Sequence, residues 1–131
     1  MSYKATLFVE GEEYDILYCN FKLSRDTDAK GRPSSRVYGG RITFEIEATA
    51  STALIEKMIN DQFRPFSGRV SYIKGDEESV MKDLEFNQAY FVYYEETLDI
   101  TGKMPMNIRF TVSAEELVMG SASQSNNWPA A

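Results

Sequence analysis

The sequence predicts a mainly β protein: a barrel or sandwich of antiparallel strands with one α-helix over about 51–60 and a long loop over about 25–40. Three observations carry that reading. Apolar and polar residues alternate with period two through most of the chain. Turn-forming residues interrupt the alternation at short intervals. Aromatics make up 13% of residues, with eight Tyr and eight Phe, and these types favour a pleated, half-buried surface.

In the first strand, Tyr3, Ala5, Leu7 and Val9 share one face, with Lys4, Thr6 and Glu10 opposite. Gly11 turns the chain into a tight hairpin, and 13–23 reads as a longer second strand. Residues 25–40 hold Asp26, Asp28, Gly31, Pro33, Ser34, Ser35, Gly39 and Gly40, all loop-forming types. A loop this long in a compact domain is usually functional or disordered, and its arginines and Tyr38 favour function. Arg41–Glu47 alternates without error. The period then changes: Leu54, Ile55, Met58 and Ile59 share a helical face, with Thr49 or Ser51 to cap its start and Asn60-Asp61 to end it. Strands resume over 69–74, 80–86, 89–98 and 106–113, with an acidic turn at 75–78 and a bend or bulge at Asn87-Gln88. Residues 116–119 extend the last strand after a bulge. No internal repeat or domain boundary intervenes, so 1–120 reads as one barrel domain and 121–131 as a flexible polar tail.

Two strands are apolar on both faces. Leu17, Cys19, Phe21 and Leu23 oppose Tyr14, Ile16 and Tyr18, and Phe91 and Tyr93 oppose Val92 and Tyr94. An antiparallel sheet usually leaves one face polar, so these strands need a second cover, which points to a helix or a neighbouring copy.

Composition excludes several functions. The chain carries 14 basic and 20 acidic residues, net −6. Its one basic density, Lys30, Arg32, Arg36 and Arg41, is diluted by Asp26 and Asp28, so nucleic acid is not an expected partner. With no histidine and a single cysteine, the chain builds neither a Cys/His zinc site, nor a Ser-His-Asp or Cys-His nucleophile, nor an internal disulfide. The N-terminus begins a strand pattern rather than a signal peptide, and no apolar run reaches the length of a membrane helix. Folding in the cytoplasm is expected, without membrane insertion.

The remaining chemistry is sparse. The carboxylate pairs Glu12-Glu13, Glu77-Glu78, Glu95-Glu96 and Glu115-Glu116 do not make glycosidase pairs, because adjacent strand residues point to opposite faces. The segment 31–36 lacks the Gly-Lys-Ser/Thr ending of a phosphate loop, and Pro33 removes an amide donor. Cys19 reads as a small buried hydrophobe. Met104 and Met106 read as turn packing. Trp128 is either disordered with its tail or an anchor on a neighbour. No enzyme activity and no cofactor are expected. A small-ligand-binding β-barrel is the alternative reading, and a carboxylate-only hydrolase a third.

The runs Tyr14-Asp15-Ile16-Leu17-Tyr18-Cys19-Asn20-Phe21 and Thr27-Asp28-Ala29-Lys30-Gly31-Arg32-Pro33-Ser34-Ser35-Arg36, followed by Gly39-Gly40, resemble the TssD (Hcp) proteins of the branch found in Bacteroidota. Tyr93-Tyr94-Glu95-Glu96, 102–106, Val112-Ser113-Ala114-Glu115 and Asn127-Trp128 fit the same pattern in collinear order. The motifs of better-known proteobacterial members are not evident, so their contacts do not transfer. The resemblance implies a β-barrel subunit related to phage tail tube proteins, forming six-membered rings that stack into the inner tube of a type VI secretion machine. It implies sheath, spike and baseplate partners, effectors in the lumen, and export without a signal peptide. Local chemistry then makes Asp26, Asp28, Arg32, Arg36 and Tyr38, with Trp128, the expected subunit or ring-stacking contacts. Ring closure requires a head-to-tail interface, expected from edge strands pairing across subunits.

Overall fold

The structure is a computed structural model that describes residues 3–74, 80–103 and 106–126. Its elements are β1 (Tyr3–Val9), β2 (Glu12–Phe21), β3 (Arg41–Glu47), α1 (Ala53–Asn60), β4 (Phe66–Lys74), β5 (Val80–Leu98), β6 (Met106–Met119) and β7 (Ala122–Ser125). All pairings are antiparallel, in the order β3-β2-β1-β4-β5-β6-β7, and β3 also pairs with β6, which closes β1 to β6 into a barrel. The expected mainly β fold with one helix is therefore what the chain forms.

Local chemistry explains the connections. Glu10 and Gly11, both at positive φ (46° and 83°), make the two-residue turn whose twist matches the strands it joins. The helix starts at Ala53 because 49–52 are held as a turn by their own hydroxyls: Thr49 Oγ1 accepts from the Ser51 amide and Ser51 Oγ from the Ala53 amide, both at 3.2 Å. Leu54 is buried against the barrel.

The barrel is filled by its own side chains. Phe44, Phe86, Phe66, Phe91 and Phe110 form a circuit of ring contacts with centroids 4.9 to 6.2 Å apart. Leu7, Ile42, Ile46, Val70, Leu84 and Val112 pack around them, fully buried. Burial of each such side chain stabilises the fold by about 1.5–3 kcal/mol.

Two bulges explain the strands that look apolar on both faces. In β2 the register against β3 shifts between Ile16 and Tyr18. Tyr14 and Ile16 face the interior before the shift, Cys19 and Phe21 after it, so one strand reads inward on both parities. In β5 the register against β6 shifts between Phe91 and Tyr93, and Phe91 and Tyr94 both pack on the core. The sequence argument for a second cover thus overcounts. Leu17, Tyr18, Val92 and Tyr93 remain outside, 43 to 50% exposed.

Several boundaries differ from expectation: α1 begins at Ala53 rather than 51, β2 ends at Phe21 rather than 23, and β4 begins at Phe66 rather than 69. The strands expected over 80–86 and 89–98 are one strand: the bulge at Gln88 (φ 52°) shifts register against β4 but leaves the ladder to β6 intact. The break expected before 116 is absent, since β6 pairs with β5 without interruption from Val112 to Met119. The tail expected from 121 instead begins with β7, paired to β6 over 116–119. Its sequence Ala-Ser-Gln-Ser has little strand propensity, so the neighbouring ladder makes it a strand. The acidic turn at 75–78, Met104 and residues 127–131, including Trp128, lie outside the described residues.

The strand directions define two ends. The β1–β2 turn and α1 stand at one, the helix end; the 22–40 connection and the β6–β7 turn stand at the other, the arm end.

Candidate assembly surface

The 22–40 connection is a folded arm held by its own polar groups. Ser24 and Tyr38 exchange backbone hydrogen bonds of 2.9 and 2.6 Å, and Thr27 pairs with Pro33 further out. At the tip, the Asp28 carboxylate accepts from the Lys30 and Arg32 amides at 2.9 and 3.0 Å and from Arg32 Nε at 3.1 Å. The amides of Arg32 and Lys30 hold the Asp28 carboxyl below its ordinary range. Tyr38 Oη donates to Asp26 at 3.1 Å, and Ser35 Oγ accepts from the Asp26 amide at 2.7 Å.

The arm therefore brings together Asp26, Asp28, Arg32, Arg36 and Tyr38, five of the six residues expected at contacts. Asp26, Asp28 and Arg32 engage one another's neighbourhood to shape the arm, and all but Asp28 are exposed. The sixth, Trp128, lies outside the described residues.

The return of the arm is clamped to the barrel by residues that sequence reasoning missed. Gln124 Nε2 donates to Val37 O at 2.7 Å, and Asn126 Nδ2 donates to Gly39 O at 2.6 Å and Ala114 O at 3.1 Å. Gly40, at φ 130°, passes so close that a Cβ would lie 2.5 Å from both Ala114 O and Asn126 Nδ2. Beside the clamp lies an apolar groove of about 300 Å³, formed by Phe21, Leu23 and Val37 against Leu117, Met119 and Ala122. Only the distance between 21–23, 37 and 117–122 in sequence hid it.

On one side the barrel wall is a four-stranded sheet of 16–21, β3, 106–113 and 90–98. Among the described residues, 17–21 pair with β3 alone and 90–98 with β6 alone, whereas the earlier part of β2 pairs with β1 and the earlier part of β5 with β4. The sheet thus has two open edges, β2 running from helix end to arm end and β5 the opposite way. Both bulges, with exposed Leu17, Tyr18, Val92 and Tyr93, sit on these edges. Its outer face is polar: Thr43 bonds Thr111 at 3.1 Å, Glu45 accepts from Asn107 at 2.7 Å and Arg109 at 2.9 Å, and Arg109 lies 5.3 Å over the Tyr18 ring.

The arm and the helix end differ in charge. On the arm, Lys22, Arg25, Lys30, Arg32 and Arg36 outnumber Asp26 and Asp28. At the helix end, Glu10, Glu12, Glu13, Glu47, Glu56 and Asp61 outnumber Lys57 and Arg64, and Lys57 is itself paired to Glu10. Among the described residues no cluster of acidic or thiol side chains is fit to hold a metal, and no helix is long and apolar enough to cross a membrane.

This closed barrel with one short helix is an architecture shared by subunits of contractile injection systems. A chain of an extracellular contractile injection system's sheath–tube complex superposes with TM-score 0.67 at 14% identity, over 93% of this chain and 91% of that one. Hcp1 from Salmonella typhimurium superposes at 0.74 with 10% identity, over 94% and 93%. Hcp1 from Flavobacterium johnsoniae superposes at 0.89 with 38% identity, over 94% of this chain and 99% of that one. Residues 1–129 match the family described as hemolysin coregulated protein Hcp (TssD). No curated protein matches the chain. The chain belongs to the Hcp (TssD) family, the structural tube proteins of type VI secretion.

Proposed function

We propose that six copies of this chain close into a ring by pairing the open edge at 17–21 of one copy with the open edge at 92–98 of the next. The rings then stack into the inner tube of a type VI secretion machine. Sheath contraction expels the tube, and effectors travel in its lumen. The protein assembles in the cytoplasm and leaves the cell through the machine, with sheath, spike and baseplate components as its other partners.

One observation carries the reading: a four-stranded sheet with two open edges of opposite direction. Because the number of strands is even, each added copy continues the antiparallel alternation, and head-to-tail pairing of this kind gives a ring when the rotation per copy closes. Six such sheets at about 4.8 Å per strand make a wall of about 115 Å circumference. The polar outer face of Thr43, Glu45, Asn107, Arg109 and Thr111 then lines the lumen, and pairing covers Leu17, Tyr18, Val92 and Tyr93. On the arm, Asp26, Asp28, Arg32, Arg36 and Tyr38 meet the adjacent ring, and Trp128 anchors on a neighbouring copy.

Light scattering and negative-stain microscopy test this directly. The purified protein should form annular particles of about six chain masses. Leu17→Lys with Val92→Lys, both on exposed edge positions, should leave a folded single chain, because lysines on an edge oppose pairing. Rings that survive the double substitution would place the interface elsewhere, and single chains at every concentration would end the ring reading. A ligand-binding barrel finds no support, since the five phenylalanines occupy the interior.

A further inference from the structure

Phe63 is 89% exposed, more than any other large hydrophobic residue among those described. It is not carried on a loose segment. Asp61 N bonds Lys57 O, Arg64 N bonds Asp61 O at 3.1 Å, and Gln62 Nε2 bonds Ile59 O at 3.1 Å, so the turn after α1 is fixed by hydrogen bonds on both sides of the ring. Ile59, 59% exposed, stands beside it. A bare aromatic on an ordered turn has little conformational freedom to lose on docking, which is the property of an interface anchor.

The opposite end of the barrel carries an apolar groove. The groove of Phe21, Leu23, Val37, Leu117, Met119 and Ala122 has a volume of about 300 Å³. A cavity of about 150 Å³ with such a lining already takes a benzene ring. Leu23 at its rim is 52% exposed. Charge matches as well: Leu23 is flanked by Lys22 and by Arg25 on the cationic arm, while Phe63 projects from the end that bears Glu10, Glu12, Glu13, Glu47, Glu56 and Asp61. Arg64, next to Phe63, is the local exception.

We infer that Phe63 of one copy seats in the apolar groove beside the arm of a second copy, so that the anionic helix end of each ring docks on the cationic arm of the next. This rests on the ring-and-tube reading and adds what fixes the polarity of stacking. Two arms meeting, or two helix ends, bring like charge to like charge and leave the grooves or the phenylalanines uncovered. Head-to-tail order satisfies both. The match also predicts that stacking weakens as salt rises, because exposed charges are screened over about 10 Å at 0.1 M.

The test is a cysteine pair in the full chain: Phe63→Cys with Leu23→Cys. Native Cys19 is half-buried beside Tyr72, and burial pushes its thiol up, so it does not compete. Mild oxidation of assembled protein should give a ladder of covalent multimers in the double variant and none in either single variant. Phe63→Ser, at an exposed position, should keep the ring mass by light scattering while raising the concentration needed for stacking at least tenfold. Rings without a ladder, or Phe63→Ser rings that stack normally, would overturn the anchor and leave the ring reading standing. Single chains throughout would overturn the ring reading itself, and the anchor with it. If the chain's own C-terminal residues fill the groove instead, Leu23→Cys with Trp128→Cys should link within one chain while the first pair gives no ladder, which also overturns the proposal.

Discussion

The barrel interior and the arm are ordered by different forces. Inside, five phenylalanine rings and a shell of aliphatic residues are held by packing, with Tyr14 and Ser71 the buried residues that carry a polar group among those described. On the arm, hardly any apolar area is buried, and order comes from hydrogen bonds that Asp26, Asp28 and Ser35 make within the loop. The difference separates two tasks. Substitution in the interior costs global stability, whereas substitution on the arm changes what the arm presents while the barrel stays folded.

Truncating the interior should give the largest effect. Phe44 touches both Phe86 and Phe110 and is fully buried, so Phe44→Ala should destabilise the fold by about 3–5 kcal/mol, read as a lower urea midpoint. Gly40→Ala comes next, at the seam where arm meets barrel. The added methyl must displace Ala114 O or the Asn126 amide at a positive φ, and a loss of more than about 1 kcal/mol is expected in the same measurement. If Gly40→Ala is neutral, the clamp is looser than the distances indicate.

On the arm itself the comparison predicts function without stability. Arg32→Asp together with Arg36→Asp should leave the melting temperature of the single chain nearly unchanged, because neither residue is buried. The same double variant should lose ring stacking or export. Normal export would remove the arm from the interface. Asp28→Ala should likewise spare the barrel, yet amide exchange at Lys30 and Arg32 should quicken, since both amides lose their acceptor.

How legible each region was follows from the same contrast. β3 could be read to the residue because its alternation is unbroken, and Ile42, Phe44 and Ile46 are all buried. β2 and β5 were readable as strands, but their two apolar faces were an artefact of bulges at Leu17 and Val92, which reverse the inward parity partway along. A period-two reading has no signal for a skipped residue. The arm was legible as a long polar loop, and Asp26, Asp28, Arg32, Arg36 and Tyr38 all lie on it. Its clamp was not, because Gln124 and Asn126 bond backbone carbonyls 87 residues away and no local pattern marks such a bond. β7 was missed for the related reason that its partner, rather than its own sequence, makes it a strand.

The smallest effect expected is a pH response in surface turns, at Asp28 on the arm and at Asp99, which Thr101 holds below its ordinary range. Asp28 has its folded pKa lowered by the Arg32 and Lys30 amides, whereas in a disordered arm it would titrate at the ordinary value of 3.8. A group lowered on folding contributes order that is fully present above the ordinary value and is lost as pH falls through the depressed one. The arm should therefore hold its hydrogen bonds at neutral pH and loosen only below about 3.8, with the barrel still folded, since the buried residues among those described include no carboxylate. Amide resonances of Lys30 and Arg32, followed by NMR on the edge-substituted single chain, should shift in that window before those of Phe44 and Phe110 do. If arm and core shift together, the two regions unfold as one unit. The independence from the core that the arm's proposed role in assembly requires would then be gone.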